Sequence, residues 1–242
     1  MRRGRRADGK GAAQYPPDFD AETVALIERV RPYTMTSAER LWALIHAIEY
    51  VVRHEVPGDY VECGVWRGGS SMAAALALAA RGDTSRTLHL YDTFEGMTTP
   101  TGHDRSIEGE AAQALLAREV RTRDSPTWCI ADEEDVRCNL ASTGYPSDRM
   151  RFVRGPVEET LPDAELGSIA LLRLDTDWYA STRHELEHLY PRLVPGGILI
   201  IDDYGHWEGA RRAVDEYVER HRLPLFLQRI DYTGRMAIKP TP

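Results

Sequence analysis

No stretch of the 242-residue chain holds the roughly 20 consecutive apolar residues that a bilayer-spanning helix needs, so no membrane segment is expected. The basic opening "MRRGRRADGKGAAQ" leads into no apolar core of the kind a secretory signal carries, and a cytoplasmic protein is expected. Cysteine is scarce. Cys63, Cys129 and Cys138 form an odd, widely spaced set that suits neither a disulfide framework nor a structural zinc site, so reduced thiols are expected. Positive charge is in deficit as well: 30 Lys and Arg stand against 38 Asp and Glu, a net charge of −8. That balance disfavours a phosphate-binding surface and with it a nucleic-acid partner.

What is present has the organisation of a single α/β domain. Residues 1–16, rich in Arg, Gly and Ala and closed by "YPP", read as a disordered arm, leaving 17–242 as the folded unit. "TSAERLWALIHAIEYVV" reads as a helix, with Thr36 and Glu39 at capping-box spacing and Leu41, Leu44, Ile45 and Ile48 at helical period. From Asp59 onward, apolar runs such as "DYVECGV", "TLHLYDTF", "SIALLRLDTD" and "GGILIIDDYG" alternate with helical stretches. Continuous apolar strands interleaved with helices predict a mostly parallel sheet covered on both faces. "LPLFLQRI" and "GRMAIKP", separated by a Thr-Gly turn, are placed as a terminal hairpin pair. The polar segment from about 101 to 146 has helical patches and no strand, and is read as an insertion that serves as a lid.

Three places carry candidate chemistry. In "YVECGVWRGGSS" a strand runs through Glu62 to Gly64, turns through Gly68 and Gly69 and enters a helix, so that backbone amides can approach an anionic ligand. The spacing is not that of a dinucleotide fingerprint. Asp92, at the tip of the next strand, is the usual type of partner for ribose hydroxyls, and the two features together point to an adenosine-bearing cofactor. The second place is the pair of apolar strands that finish in twin aspartates, Asp175 with Asp177 and Asp202 with Asp203. If the strands are neighbours, four carboxylates converge at the carboxyl edge of the sheet, where they need positive compensation. A hard divalent ion, magnesium by the oxygen-only donor set, supplies it. Capping of the helix after Asp177 accounts for only one of the four. The third place is His206, a few residues beyond the second pair, which either lines an acceptor pocket, acts as a base or simply hydrogen-bonds within its loop. Tyr179, closing "LLRLDTDWY", is assigned with it to the acceptor side. "HELEH", His184–His188, matches a zinc-protease pattern. Its histidines fall opposite the stripe of Leu186, Leu189 and Leu193, at about 100° per residue, which places them on a solvent face.

Taken in order, "YTMTSAERLWAL", "YVECGVWRGGSS", "LYDTFEGM", "RGPVEETLP", "LLRLDTDWYAST" and "PGGILIIDDYGHWEGARRAVDEY" resemble the macrocin O-methyltransferase family, from about Tyr33 to the C-terminus. The resemblance implies a class I S-adenosylmethionine-dependent methyltransferase fold: a Rossmann-like, mostly parallel seven-stranded sheet with a helical N-terminal segment and a lid. It implies metal-dependent methylation of a sugar hydroxyl in antibiotic biosynthesis, with Mg2+ on Asp175, Asp202 and Asp203 and Asp177 as general base. Cofactor contacts by the same resemblance fall on Glu62, Gly64, Ser70, Asp92 and Thr93, with Tyr33, Met35 and Ser37 from the N-terminal turn. A homodimer is implied too. Pro156 in "RGPVEETLP" departs from the larger residue common in the family. A catechol-like phenol is the alternative acceptor. A nucleotide-dependent oxidoreductase, a sugar-binding protein without activity and a metal-dependent hydrolase are rivals that leave one or other of the motifs unused.

Overall fold

The computed structural model describes residues 15–123, 125, 127–163 and 165–241. The arm expected over 1–16 therefore lies almost wholly outside the described residues; within it, Tyr15 stacks on Phe19 with ring centroids 5.9 Å apart.

Helix α1 (Ala21–Val30) is capped by Asp20, whose carboxylate accepts from the Thr23 amide at 2.9 Å. Helix α2 (Ala38–Arg53) follows. Its N-cap is Ser37, not the expected Thr36: the Ser37 hydroxyl accepts from the Arg40 amide. Thr36 is drawn inward instead, where its hydroxyl oxygen accepts from Arg173 at 3.1 Å. A buried guanidinium gains more from that oxygen than a helix start with a serine at hand.

The chain then alternates as its apolar runs predict: β1 (Asp59–Cys63), α3 (Gly69–Ala80), β2 (Leu88–Asp92), α4 (Ala112–Arg118), α5 (Glu133–Ala141), β3 (Met150–Arg154), α6 (Val157–Thr160), β4 (Ile169–Leu174), α7 (Tyr179–Leu189), β5 (Leu193–Ile201), α8 (Glu208–Arg220), β6 (Gln228–Arg229) and β7 (Arg235–Ile238). The seven strands form one sheet in the order β3-β2-β1-β4-β5-β7-β6. The first five are parallel, and β7 runs antiparallel to both β5 and β6. The terminal hairpin is thus present, though its first strand is only two residues long.

Strand alternation divides the core. Tyr60, Leu88, Leu90, Leu171, Ile198 and Ile200 face α1, α2 and α3 on one side. Val61, Tyr91, Leu172, Leu174, Leu199 and Ile201 face α7 and α8 on the other. Because the chain winds outward from β1 to β3 and then returns to place β4 on the opposite side of β1, a crevice opens between the carboxyl ends of β1 and β4. No described helix is long and apolar enough to cross a membrane.

The segment expected as a lid has two fates. Residues Ala131, Val136, Leu140 and Tyr145 are buried in the core on the α1–α3 side, and Asp135 pairs with Arg67 at 2.9 Å, so this part belongs to the body. Earlier in the segment, Ala112 and Leu116 pack on Trp178, Trp207 and Ala210 beside the crevice.

Candidate active site

A cavity of about 460 Å³ opens at the crevice. Its floor is set by the approach of β1 to β4. Gly64 has φ of +83°, and a Cβ built there would fall 1.8 Å from the Asp175 carbonyl oxygen, so only glycine allows the crossing. The Asp175 amide in turn donates to the Cys63 carbonyl at 2.9 Å.

On the carboxylate side, β4 and β5 are adjacent in register, with Leu174 opposite Ile201. The residues that follow, Asp175 with Asp177 and Asp202 with Asp203, therefore converge as the sequence predicts, and all four line the cavity. Asp175, Asp202 and Asp203 each present a carboxylate oxygen within 4.8 Å of the others. Asp177 is set slightly apart: its φ is +65°, its amide donates to Asp203 Oδ2 at 3.1 Å, and its Oδ1 accepts from the Trp207 indole. Burial pushes the Asp177 carboxyl up to about 6, against the hydrogen bond from Trp207. Burial also raises Asp175 well above the ordinary carboxylate range, with Asp202 and Asp177 adding repulsion and Arg173 opposing. Asp203 is raised likewise, by burial and then by Asp177, Asp175 and Asp202.

Positive compensation is partly built into the protein. Arg173, on β4 and 2 % exposed, lies 2.6 Å from Glu62, 2.7 Å from Asp175 and 2.9 Å from Asp202 Oδ1. Arg40 of α2 pairs with Asp202 and, at 3.0 Å, with Asp231. These cations do not satisfy the cluster. Arg173 approaches Asp202 Oδ1 off the hydrogen-bonding direction, and that oxygen is buried without a hydrogen-bond partner. An ion pair without a hydrogen bond leaves part of the desolvation cost of a buried carboxylate oxygen unmet. Three converging carboxylates, one with such an oxygen, fit a hard divalent cation bound through oxygen.

The opposite wall is built from the glycine turn. Asp92 Oδ2 accepts from the Val65 and Trp66 amides at 2.6 and 3.0 Å, and Oδ1 from the Phe94 amide at 2.7 Å. Asp92 thereby fixes the turn leading into α3, besides lining the cavity with Gly64, Ser70, Thr93, Tyr33 and Met35. His206 also lines it, and burial lowers its pKa. Pro156 stands at the wall beside Gly155 and Glu158.

Three expected contacts are placed elsewhere. Glu62 is fully buried beneath the cavity floor, where its carboxylate accepts from Tyr60, Ser71 and Arg173. It anchors Arg173 and does not line the cavity. Ser37 is occupied in capping α2 and donates to Asp231 at 2.7 Å. Tyr179 points away toward α8: its hydroxyl donates to Glu216 at 2.7 Å and its ring packs on His103. The decoy motif is also resolved. His184 and His188 pack on one another, half-buried and not fully in solvent, with His184 Nε2 3.1 Å from the Leu161 carbonyl. Among the described residues the only trio able to hold a metal is the aspartate one.

Several participants were not singled out from sequence. Arg173 carried a signal, a charge in the middle of "LLRLD". Glu185 sits one turn before Leu189, on the core side of α7. It accepts from the Thr176 hydroxyl at 2.9 Å, between the two site aspartates, and burial raises its pKa to about 8. Trp207, and Asp104, whose Oδ1 accepts from the Tyr179 amide at 2.7 Å, carried none, because their contacts depend on where a long segment returns.

A family model described as macrocin O-methyltransferase (TylF) matches residues 14–238. The chain belongs to the macrocin O-methyltransferase family. Among its relatives in that family, the 8-demethyl-8-(2,3-dimethoxy-alpha-L-rhamnosyl)-tetracenomycin-C 4'-O-methyltransferase of Streptomyces olivaceus is 40% identical over 218 residues, covering 90% of this chain and 80% of the relative. The mycinamicin III 3''-O-methyltransferase of Micromonospora griseorubida is 37% identical over 202 residues, covering 84% and 76%. Of solved structures, the O-methyltransferase NovP superposes with a TM-score of 0.74 at 32% identity, covering 86% of this chain and 83% of that one. The calicheamicin methyltransferase CalS11, at 18% identity and TM-score 0.60, shares the fold. This macrocin-family chain is accordingly an O-methyltransferase with the class I S-adenosylmethionine-dependent methyltransferase fold.

Proposed function

We propose that the enzyme transfers the methyl group of S-adenosylmethionine to a sugar hydroxyl of a glycosylated natural product in antibiotic biosynthesis, with Mg2+ held by Asp175, Asp202 and Asp203. The observation that carries this reading is the converging carboxylate trio, whose buried Asp202 Oδ1 pairs with Arg173 but accepts no hydrogen bond, facing a glycine turn across one cavity. The relatives support the acceptor class: the one at 40% identity is named for 4'-O-methylation of a rhamnosyl-tetracenomycin, and the one at 37% for 3''-O-methylation of mycinamicin III.

When bound, the donor supplies an electrophilic methyl on a sulfonium. When bound, the divalent ion supplies Lewis-acid polarisation that makes an alcohol easier to deprotonate. The chain's own residues do the rest. Gly64, Ser70, Asp92 and Thr93 receive the adenosine end, with Tyr33 and Met35 beside them on the same wall. Asp177 accepts the hydroxyl proton, its carboxyl aimed into the cavity by Trp207. His206 faces the acceptor. Arg173 and Arg40 keep part of the acidic cluster neutralised, which limits its self-repulsion in a low-dielectric cleft. The segment around Leu115 and Thr127 that borders the cavity acts as the cover that excludes water. Assembly as a homodimer in the cytoplasm completes the reading, and sedimentation of the purified chain checks the assembly.

The deciding experiment measures transfer of a labelled methyl group to a panel of glycosides and catechols, with magnesium and with a chelator. Transfer to a glycoside that stops on chelation is the expected result. Undiminished transfer under chelation would remove the metal, and transfer to catechols alone would replace the acceptor.

A further inference from the structure

We propose that Trp207 is a positioning residue for Asp177, and that residues Asp104–Ser106 of the long insertion hold it in that role. The role in turnover rests on the reading of Asp177 as the base; the contact itself does not.

An aspartate one residue ahead of a helix N-cap ordinarily has an alternative to facing a cavity: it can turn back and accept from the amides of the first turn. Here one of those amides is already taken. The Tyr179 amide, at the start of α7, donates to Asp104 Oδ1 at 2.7 Å, so a residue from the insertion competes for the helix start. Asp104 is 1% exposed, and its second oxygen accepts from the Thr101 amide and hydroxyl at 2.6 and 2.8 Å, which leaves it little freedom. Asp177 meanwhile has a left-handed backbone, unfavourable for a residue with a Cβ, and needs restraint from outside.

Trp207 supplies that restraint. Its indole N–H donates to Asp177 Oδ1. The ring is 8% exposed and packs edge-on against Trp178, centroids 4.9 Å apart, and against His206 at 4.8 Å. The same insertion segment grips the Trp207 backbone. Ser106 forms a β-bridge with Trp207, and the Glu208 amide donates to the Arg105 carbonyl at 2.9 Å. At Gly209 a Cβ would fall 2.0 Å from Asp104 Oδ1, so the start of α8 rests on the same carboxylate that caps α7. Three consecutive insertion residues therefore tie together the loop that carries Asp177 and the loop that carries Trp207. A charge-assisted hydrogen bond from a packed, rigid ring selects one carboxylate orientation.

The test uses the full chain labelled with 15N-tryptophan, with the indole resonance of Trp207 assigned by its loss in Trp207→Phe. In the wild type this N–H signal lies downfield, and Asp177→Ala, which removes the acceptor, moves it upfield; a signal that Asp177→Ala leaves in place overturns the contact, whatever the activity. For turnover, Trp207→Phe is expected to lower kcat tenfold or more, with KM for the methyl donor and calorimetric affinities for S-adenosylhomocysteine and Mg2+ unchanged within twofold. The double variant Trp207→Phe with Asp177→Asn is expected to be no slower than Asp177→Asn alone. A kcat within twofold of wild type, or a double variant slowed by the product of the two singles, overturns the positioning role. Should Trp207→Phe not fold, the benzothiophene isostere of tryptophan at 207 removes only the N–H and is read by the same outcomes. A wild type that methylates none of the acceptors refutes the proposed function, while the resonance shift still decides the contact.

Discussion

Asp92 and Asp202 sit at the same edge of the sheet, one ending β2 and the other following β5, and they are held in opposite ways. Asp92 takes three backbone amides, and its carboxylate is part of a finished loop. Asp202 takes side-chain cations and keeps one buried oxygen without a hydrogen bond, in a cluster whose members repel one another. The glycine-turn half is complete as protein; the carboxylate half is left with charge that the protein does not fully answer. Backbone amides cost nothing further to place once the turn forms. Converging carboxylates store repulsion that a divalent ion can release.

The strongest way to break this contrast is Asp202→Ala. It removes one oxygen set of the trio and is expected to abolish methyl transfer and calorimetric Mg2+ binding together, while S-adenosylhomocysteine binding persists. Retained magnesium binding would show that the trio is not the site. Next in size is Arg173→Leu. It strips the counter-charge from Glu62, Asp175 and Asp202 at once, and breaking a buried pair in this way costs about 3–5 kcal/mol. Chemical denaturation should show that loss. A loss below about 1 kcal/mol would mean that the carboxylates are compensated by other means.

Asp92→Asn tests the finished half. It sets an amide group among three N–H donors, and a loss of about 1.5–3 kcal/mol, roughly ten- to hundredfold in S-adenosylhomocysteine affinity, is expected with Mg2+ binding unaffected. Equal weakening of both ligands would show that the two halves are one. The smallest effect is expected at Asp163, a satisfied carboxylate away from the trio. Burial pushes its pKa up, but hydrogen bonds from Arg151 and Tyr91 and the Glu165 amide prevail and lower it from 3.8 to about 2. A depressed carboxyl stabilises the fold above its unfolded pKa and loses that contribution as pH falls through the folded one. Asp163→Asn should therefore be less stable than wild type by about 2 kcal/mol at neutral pH. The gap should close between about pH 4 and pH 2 in denaturation curves, and a gap constant with pH would rule out this linkage.

Much of the fold was legible because period and punctuation agree along the chain. The apolar runs from "DYVEC" to "ILII" became the five parallel strands, and the glycine turn and twin aspartates fell at their carboxyl ends. The terminal hairpin was legible too, but not that "LPLFL" would lie outside it. Thr36 was misread as a cap because the capping pattern is local, whereas the buried guanidinium that draws it in lies 137 residues away. The family resemblance placed Glu62 at the cofactor, and an acid at a strand end gives no sign that an arginine on the neighbouring strand will pair with it. The insertion read as one lid, yet its later part carries Val136 and Leu140 into the core, a packing decision that helical patches do not record.

By itself, then, the sequence determined the strands, the layering, and which carboxylates would meet, since register and alternation follow from short-range periodicity. Tertiary structure alone decided which of those carboxylates are met by backbone amides and which by side-chain cations alone. It also decided that Asp104 and Trp207, from segments remote in the chain, aim Asp177. Those outcomes depend on directions and distances between elements, which a linear pattern of residues does not contain.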